Sequence, residues 1–268
     1  MKTVFITGTS SGLGKAAVKL FHDKGWNVIA TMRNPDKAKD FEGLERVTVL
    51  PLDITNPAQI EETAQQAIRS GGVDVVINNA AYGAVGPLES VTDEQLVQQI
   101  NTNLLGAIRV TKAFIPHFRE KKTGAFINIT SIAGLVTFPY VSLYHTAKFG
   151  IEAFSDSLSH ELALFGIKVK TVAPGFIWSD FGSNMVVTTS EPYQSTLDQY
   201  LQDVGSRMDP SKVGTSPEGI ASIVYDALMD ESDRVHYIAG ADAQATYDRY
   251  LEIGKEASRK EMGQVFSR

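Results

Sequence analysis

The stretch of sequence that decides the fold is TVFITGTSSGLG, residues 3–14. It opens with the apolar run Val4-Phe5-Ile6, typical of a buried strand, and apolar residues at helical spacing follow between Lys15 and Lys24. Glycines let a backbone turn tightly and approach a ligand, and a helix N-terminus offers free N–H groups to a phosphate. The spacing Gly-x-x-x-Gly-x-Gly differs from the commoner Gly-x-Gly-x-x-Gly. The setting nevertheless predicts a strand, a turn and a helix that bind the pyrophosphate of a dinucleotide.

The rest of the chain continues this alternation of strand and helix. Strands are expected near 3–7, 26–31, 46–51, 73–78, 124–129, 167–173 and 234–239, and helices near 12–24, 56–70, 92–119, 145–165, 216–230 and 242–260. Near-continuous apolar strands that alternate with helices indicate a parallel sheet covered on both faces. We therefore predict an α/β fold of the Rossmann type, a doubly wound parallel sheet of about seven strands, in a single domain spanning residues 1–268.

Charge and composition limit what the chain can bind. Its 268 residues carry a formal net charge of −6 at pH 7, which argues against a nucleic-acid partner. The absence of cysteine excludes disulfides, thiol catalysis and thiolate metal sites. The five histidines are scattered without the spacing of metal ligands, so we predict no metal site.

No membrane partner is expected, although one stretch has the length of a membrane span. Residues 123–147 contain no Asp, Glu, Lys or Arg, but Asn128, Thr130, Ser131, Gly134 and Pro139 interrupt them. We interpret this stretch as a buried strand followed by an uncharged loop. Lys2 is followed at once by the first strand, so we expect no signal peptide and predict a cytoplasmic location.

A second motif is a tyrosine and a lysine at helical spacing. Tyr144 and Lys148 are four residues apart in Tyr144-His145-Thr146-Ala147-Lys148, and Tyr144 follows Ser131 by thirteen residues. Side chains at i and i+4 share one face of a helix, and a neighbouring cation lowers the pKa of a phenol. Alone, such a pair is more often part of a solvated helix surface, since short patterns recur by chance. In a chain that also contains the glycine turn, the Tyr/Lys pair indicates proton transfer near neutral pH.

Together these motifs resemble those of the short-chain dehydrogenase/reductase family. The resemblance runs from Lys2 to about Gly240, and the motifs fall in the family's order: Thr7 to Gly14, Asp53, Asn78-Asn79-Ala80, Asn103, Ser131, Tyr144, Lys148 and Pro174-Gly175. The chain departs from the family at Ala81, where glycine is usual, and at Ser179, where threonine is usual. Neither change removes a catalytic group.

The resemblance implies roles for four catalytic residues. Ser131 would donate a hydrogen bond to the substrate oxygen, and Tyr144 would protonate that oxygen or deprotonate the alcohol. Lys148 would hold the nicotinamide ribose and keep the pKa of Tyr144 low. Asn103 would position a water that links Lys148 to solvent, with Asn101 as a nearby rival.

The resemblance also implies the cofactor contacts. Asp53 and Ile54 would flank the adenine with Asn79 beneath it, although Asp53 could instead cap a helix, since Thr55 and Asn56 follow. Ser179 would lie beside the nicotinamide amide. The full set of expected cofactor contacts is Gly8, Ser10, Ser11, Gly12, Leu13, Gly14, Arg33, Asp53, Ile54, Asn79, Ala80, Tyr144, Lys148, Pro174, Gly175, Ile177 and Ser179.

The end of the second strand predicts which cofactor is used. An NAD enzyme needs a carboxylate there for the ribose 2′-OH, whereas a 2′-phosphate favours an arginine. Met32 occupies the carboxylate position and Arg33 follows it. We therefore predict NADP(H), the alternative being that Arg33 is a solvated loop residue.

Residues 176–215 are long for a plain connection, and the resemblance implies that they form a substrate lid. Residues 241–268 are expected to form a C-terminal helical extension. The predicted pocket is apolar and aromatic, with Tyr82, Val85, Val136, Phe138, Phe176, Trp178 and Met185, although Val136 and Phe138 could equally be core. This lining predicts a hydrophobic aryl or alkyl ketone.

The predicted function is the reversible, NADPH-dependent reduction of a ketone or aldehyde to an alcohol. The alternatives are NAD-dependent oxidation of an alcohol or polyol, an NADPH-binding sensor without turnover, and an epimerase or dehydratase. The missing carboxylate disfavours NAD-dependent oxidation. The retained Tyr144 and Lys148 disfavour a sensor without turnover, and the chain length and glycine spacing disfavour an epimerase or dehydratase. The resemblance also implies a homodimer or homotetramer packed through helices 92–119 and 145–165.

Overall fold

The computed structural model of the chain describes residues 1–179, 181–182, 185–207 and 213–264. Parts of two predicted segments lie outside these ranges, namely residues 180, 183–184 and 208–212 of the predicted lid and residues 265–268 of the C-terminal extension. Within the described ranges, no helix combines the length and the apolar content that crossing a bilayer requires.

A seven-stranded parallel sheet forms the centre of the molecule. Its strands are β1 (Thr3–Thr7), β2 (Asn27–Met32), β3 (Val47–Pro51), β4 (Val75–Asn78), β6 (Gly124–Ile129), β7 (Ile167–Pro174) and β9 (His236–Ala239). The short strands β5 (Ala84–Val85) and β8 (Val186–Val187) pair separately. The order in the large sheet is β3-β2-β1-β4-β6-β7-β9, so the direction of winding reverses between β1 and β4. This confirms the predicted doubly wound sheet, in which ligands bind beyond the carboxyl ends of the strands near the reversal.

Nine α-helices occur in the described part of the chain. They are α1 (Gly12–Asp23), α2 (Pro57–Arg69), α3 (Asp93–Ile100), α4 (Ala107–Lys121), α5 (Ser142–Ala163), α6 (Gln194–Arg207), α7 (Pro217–Met229), α8 (Ala241–Ile253) and α9 (Lys255–Gln264). The helix expected at 92–119 is divided by a π-helical turn at Asn101–Gly106. The helix expected at 242–260 breaks at Gly254, whose φ of +77° ends α8. The sequence reading did not anticipate α6, β5 or β8.

Each face of the sheet has its own hydrophobic core. Along β1, Val4 and Ile6 pack on one face with residues of α1 and α7, whereas Phe5 packs on the other with residues of α2, α4 and α5. This follows from the alternation of side chains along a strand. The two layers fix the helices against the sheet and leave its carboxyl edge to the loops.

The glycine turn after β1 lies in direct contact with the loop after β4. Gly8 has φ +70°, and a Cβ on it would lie 2.7 Å from the Cα of Ala80. A Cβ on Gly14 would lie 2.3 Å from the carbonyl oxygen of Gly8. No larger residue fits at either position without moving backbone, so these glycines set the shape of the turn.

Gly8→Ala should therefore destabilise the protein more than a control with backbone strain alone. Gly25→Ala is that control, because Gly25 has φ +82° and a Cβ on it would meet nothing within 4 Å. We expect a loss of about 2–5 kcal/mol in the free energy of unfolding for Gly8→Ala and about 1–2 kcal/mol for Gly25→Ala. Equal losses in urea titrations would contradict the close contact.

Candidate active site

Two polar side chains fix the glycine turn to the neighbouring strand. The hydroxyl oxygen of Thr7 accepts hydrogen bonds from the backbone N–H groups of Asn79 and Ala80, each at 3.0 Å. The side-chain amide of Asn79 donates to the carbonyl oxygens of Thr7 at 2.8 Å and Gly8 at 3.0 Å. Both of its donors are thus directed to the turn, so Asn79 supports the site structurally. The sequence offers no signal for this role of Thr7 beyond its place in the turn.

The N-terminus of α1 is open toward the turn. Ser11 is the N-cap residue, but its side chain makes no capping hydrogen bond, and the first turn of α1 contains no acidic residue. Ser10 and Ser11 are exposed, whereas Leu13 is buried in the core and offers only its backbone to a ligand. Free N–H groups, the positive end of the helix dipole and a backbone surface without side chains fit a pyrophosphate.

The end of β2 lies beside this turn. The backbone N–H and the hydroxyl of Thr9 both donate to the carbonyl oxygen of Thr31, each at 3.1 Å. Met32 is buried in the core, so the residue in the expected carboxylate position points away from a ligand. Arg33 is exposed next to it. This edge of the site therefore offers a cation and no carboxylate from those two residues.

Asp53 closes a turn before α2. Its Oδ1 accepts from the backbone N–H of Thr55 at 2.9 Å and from the Thr55 hydroxyl at 2.7 Å. The N-cap of α2 is Asn56, whose side chain accepts from Ala58 and Gln59. Asp53 is thus not the helix cap, and its Oδ1 is engaged within the turn. Ile54 is buried against Gly106. A Cβ added to Gly106 would lie 2.8 Å from the Cδ1 of Ile54.

Three of the expected catalytic residues come together between β6 and α5. Tyr144 and Lys148 lie on α5, and the Lys148 Nζ is 5.6 Å from the centroid of the Tyr144 ring. Ser131 follows β6, and its side chain hydrogen-bonds with Tyr144. The Nζ of Lys148 donates to the carbonyl oxygen of Ile129 at 2.9 Å. The spacing of the sequence motif therefore places hydroxyl, phenol and ammonium in one site.

The pKa of Tyr144 differs from the sequence expectation. Burial raises the pKa of Tyr144 to about 12, and the hydrogen bond with Ser131 opposes that shift only in part. Lys148 is not among the groups that shift the Tyr144 pKa, and its ammonium donates to the carbonyl oxygen of Ile129. Burial lowers the pKa of Lys148 to about 8. The expected lowering of the phenol pKa by Lys148 is thus wrong for this arrangement.

Asn103 lies in the π-helical turn and is buried. Its Oδ1 accepts from the backbone N–H of Tyr82 at 3.0 Å, and its Nδ2 donates to the Tyr82 carbonyl at 2.7 Å. Its rival Asn101 instead accepts a hydrogen bond from Arg109. The Asn103 side chain therefore fixes the loop after β4.

His145, next to Tyr144, holds the loop that carries Ser131. Its Nδ1 donates to the carbonyl oxygen of Ala133 at 2.6 Å, and its Nε2 accepts from the backbone N–H of Phe138 at 2.7 Å. Burial lowers the pKa of His145, which favours the neutral ring that this pairing needs. The sequence reading treated His145 as one of several scattered histidines; its position inside the Tyr/Lys motif was the available signal.

The segment after β7 covers this site with apolar side chains. The Phe181 ring lies 6.2 Å from the Tyr144 ring between centroids. A Cβ on Gly83 would lie 2.6 Å from Met185 and 3.1 Å from Phe181, so both side chains pack on the loop after β4. Val85 and Val136 are buried and offer little surface to a ligand, which corrects the predicted pocket. Tyr82, Phe138, Phe176, Trp178 and Met185 are at least partly exposed.

The loop that follows β7 is held by a residue that the sequence reading missed. Asp242, in the first turn of α8, accepts from the backbone N–H of Phe176 at 2.7 Å through its Oδ2. A Cβ on Gly175 would lie 2.2 Å from that oxygen, so only glycine allows this contact.

Pro174 ends β7, and Ile177 pairs with Thr215. A Cβ on Gly12 would lie 3.4 Å from the Cβ of Ser179, which brings this loop to the glycine turn.

Asp242→Ala should loosen this loop, because the N–H of Phe176 loses its acceptor. We expect a loss of about 1–3 kcal/mol in the free energy of unfolding and faster hydrogen exchange at the Phe176 amide. Asp242→Asn keeps an oxygen acceptor and is the matched control, with exchange near that of the wild type. Unchanged exchange in the alanine variant would contradict this role.

Comparisons with known proteins agree with this site. The family model described as short chain dehydrogenase matches residues 2–189. Oxidoreductase BOA17 of Botryotinia fuckeliana is 36% identical over 269 residues, covering 97% of this chain and 96% of the relative. A crystal structure of a short-chain dehydrogenase from Streptomyces avermitilis superposes with a TM-score of 0.84 at 29% identity, covering 98% and 97% of the two chains. A structure of ElxO with NADP bound has a TM-score of 0.74 at 27% identity, covering 89% and 96%.

Proposed function

Because the chain belongs to the short-chain dehydrogenase family of oxidoreductases, we propose that it reduces a ketone or aldehyde with NADPH, reversibly. The observation that carries this proposal is the meeting of Ser131, Tyr144 and Lys148 at the carboxyl edge of the sheet. The glycine turn and the open N-terminus of α1 fit the pyrophosphate of the cofactor. Bound NADP(H) would supply or accept the hydride.

The protein's own groups would handle the proton and the developing charge. In reduction, the carbonyl carbon gains a hydride and the oxygen takes the phenolic proton of Tyr144, so one cofactor is oxidised and one carbonyl becomes an alcohol. The Ser131 hydroxyl would stabilise the oxygen as charge develops on it. Lys148 would hold the ribose hydroxyls, and Asn103 would position a water that links Lys148 to solvent and supplies the next proton.

Burial keeps Tyr144 in the protonated form that reduction requires. A phenol whose pKa is raised to about 12 keeps its proton at neutral pH. Oxidation of an alcohol would need the phenolate, which burial disfavours.

NADPH is the proposed cofactor because of the edge formed by the turn and β2. The exposed Arg33 suits a 2′-phosphate, and the buried Met32 supplies no acceptor for a ribose hydroxyl. The similar protein ElxO has a structure with NADP bound, which supports the same choice.

The proposed substrate is a hydrophobic carbonyl compound. The Phe181 ring packs near the Tyr144 ring, and the side chains of Phe181 and Met185 pack on Gly83. We propose residues 176–215 as the substrate lid. A sugar would leave its hydroxyl groups without partners against such surface. A sensor that binds NADPH without turnover is the second candidate, distinguished by the absence of ketone consumption.

A homodimer or homotetramer and a cytoplasmic location complete the proposal. Leu105, in the π-helical turn, and Phe149, on α5, expose large apolar side chains on the helices expected to form the subunit contact. No nucleic acid and no metal are part of the proposed reaction.

Tyr144→Phe should abolish turnover without removing the cofactor site. We expect kcat for NADPH-dependent ketone reduction to fall about 10²–10⁴-fold, because the proton donor is lost. Tyr225→Phe, on α7 beside Phe21, is the matched control and should keep wild-type rates. NADPH binding, followed by fluorescence, should be similar in both variants. Ketone reduction at the wild-type rate by Tyr144→Phe would contradict the assigned role.

Arg33→Ala should change the choice of cofactor. Loss of an ionic hydrogen bond to the 2′-phosphate would lower kcat/KM for NADPH by about 10–100-fold and leave that for NADH nearly unchanged. Lys24→Ala, which removes an exposed cation after the far end of α1, controls for net charge. A parallel loss with both cofactors would assign Arg33 a structural role instead.

A further inference from the structure

A buried carboxylate lies one helical turn after Lys148 on α5. Glu152 follows Lys148 by one helical turn on α5, so the two side chains share one face of the helix. Only 7% of Glu152 is exposed, which is unusual for a carboxylate. Gly134 permits the close packing here, since a Cβ on it would lie 3.0 Å from the Lys148 carbonyl oxygen and 3.3 Å from the Glu152 Cγ.

Two donors from the sheet hold the Glu152 carboxylate. Its Oε2 accepts from the Thr171 hydroxyl at 2.9 Å and pairs with the His236 Nδ1 at 3.0 Å. Thr171 and His236 are partners in the register of β7 and β9, so the edge of the sheet presents both groups together. The Oε1 of Glu152 is buried, without a hydrogen-bond partner among the described residues.

Burial and the charge of Glu152 have opposite effects on the pKa of Lys148. Burial disfavours the ammonium and lowers the pKa of Lys148 to about 8, and the negative charge of Glu152 opposes that shift. Hydrogen bonds that His236 donates to Glu152 and Asp156 raise the pKa of His236, which favours the imidazolium beside the Glu152 carboxylate. Arg234 donates to the His236 carbonyl oxygen, while Lys170 is bonded elsewhere, to Asp230 and Tyr237.

We propose that Glu152 is a positioning residue that keeps the Lys148 ammonium charged for the reaction, and that Thr171 and His236 hold the Glu152 carboxylate for this purpose. The inference rests on the role given to Lys148 in the proposed function. This role would explain why the Glu152 carboxylate is buried although its removal from water costs free energy. It also connects the reacting site to the surface, because the His236 side chain is 43% exposed.

The test is the pKa of Lys148 itself, measured without cofactor or turnover. The ¹⁵Nζ resonance of Lys148, assigned with Lys148→Arg, is titrated in the wild type and in Glu152→Gln. Loss of the carboxylate should lower the Lys148 pKa by about one unit or more. Asp156→Asn is the matched control: it removes a carboxylate from the same helix and the same histidine, but one that is 61% exposed, so the Lys148 pKa should stay at the wild-type value.

The pH profile gives the second readout. Activity that needs charged Lys148 is lost as pH rises through its pKa, so the alkaline limb of kcat/KM should move to lower pH in Glu152→Gln and stay in place in Asp156→Asn. If Glu152→Gln does not fold, Thr171→Val, which removes one donor to the carboxylate, should shift the Lys148 pKa in the same direction by a smaller amount.

The outcomes separate this inference from the proposed function. A Lys148 pKa in Glu152→Gln equal to that of the wild type overturns the inference, whether or not the protein reduces ketones. An equal shift in Asp156→Asn overturns it too, because a general effect of charge would then be sufficient. A wild-type protein without turnover, in which Glu152→Gln still shifts the Lys148 pKa, overturns the reductase and leaves the electrostatic pair established.

Discussion

The structure depends on one steric constraint, the direct contact between the backbone of the glycine turn and the loop after the adjacent strand. The virtual Cβ of Gly8 lies 2.7 Å from Ala80, so the two loops meet with no side chain between them. Thr7 and Asn79 fix this contact with hydrogen bonds across the reversal of the sheet. The glycine turn therefore presents bare backbone at the N-terminus of α1. A pyrophosphate fits such a surface.

Burial is the second determinant, and it acts on the proton chemistry. The same exclusion of water raises the pKa of Tyr144 and lowers that of Lys148, so both groups move toward their neutral forms. A neutral phenol serves reduction, whereas a neutral amine would not hold ribose hydroxyls with a charge. The negative charge of Glu152, one turn away on α5, opposes the change at Lys148.

The sequence predicted the strands, the sheet and the meeting of Ser131, Tyr144 and Lys148, because periodicity and motif spacing carry that information. It did not predict the π-helical turn, since helical spacing continues through Asn101–Gly106 and the Asn103 side chain bonds to Tyr82, 21 residues away in the chain. The direction of the Tyr144 pKa shift depends on burial, which outweighs the opposing hydrogen bond with Ser131 and becomes visible only in the folded chain. Asp242 was missed because its partner, Phe176, is 66 residues away in the chain.

The most direct test of the central claim is to follow the hydride. NADPH carrying deuterium at both C4 positions is incubated with the protein and a hydrophobic aryl ketone, and the product is analysed by mass spectrometry and NMR. The account predicts an alcohol with one deuterium on the carbinol carbon, formed in equal amount to the NADP⁺ produced. Tight NADPH binding with no deuterated alcohol, across a panel of aryl and alkyl ketones, would contradict it.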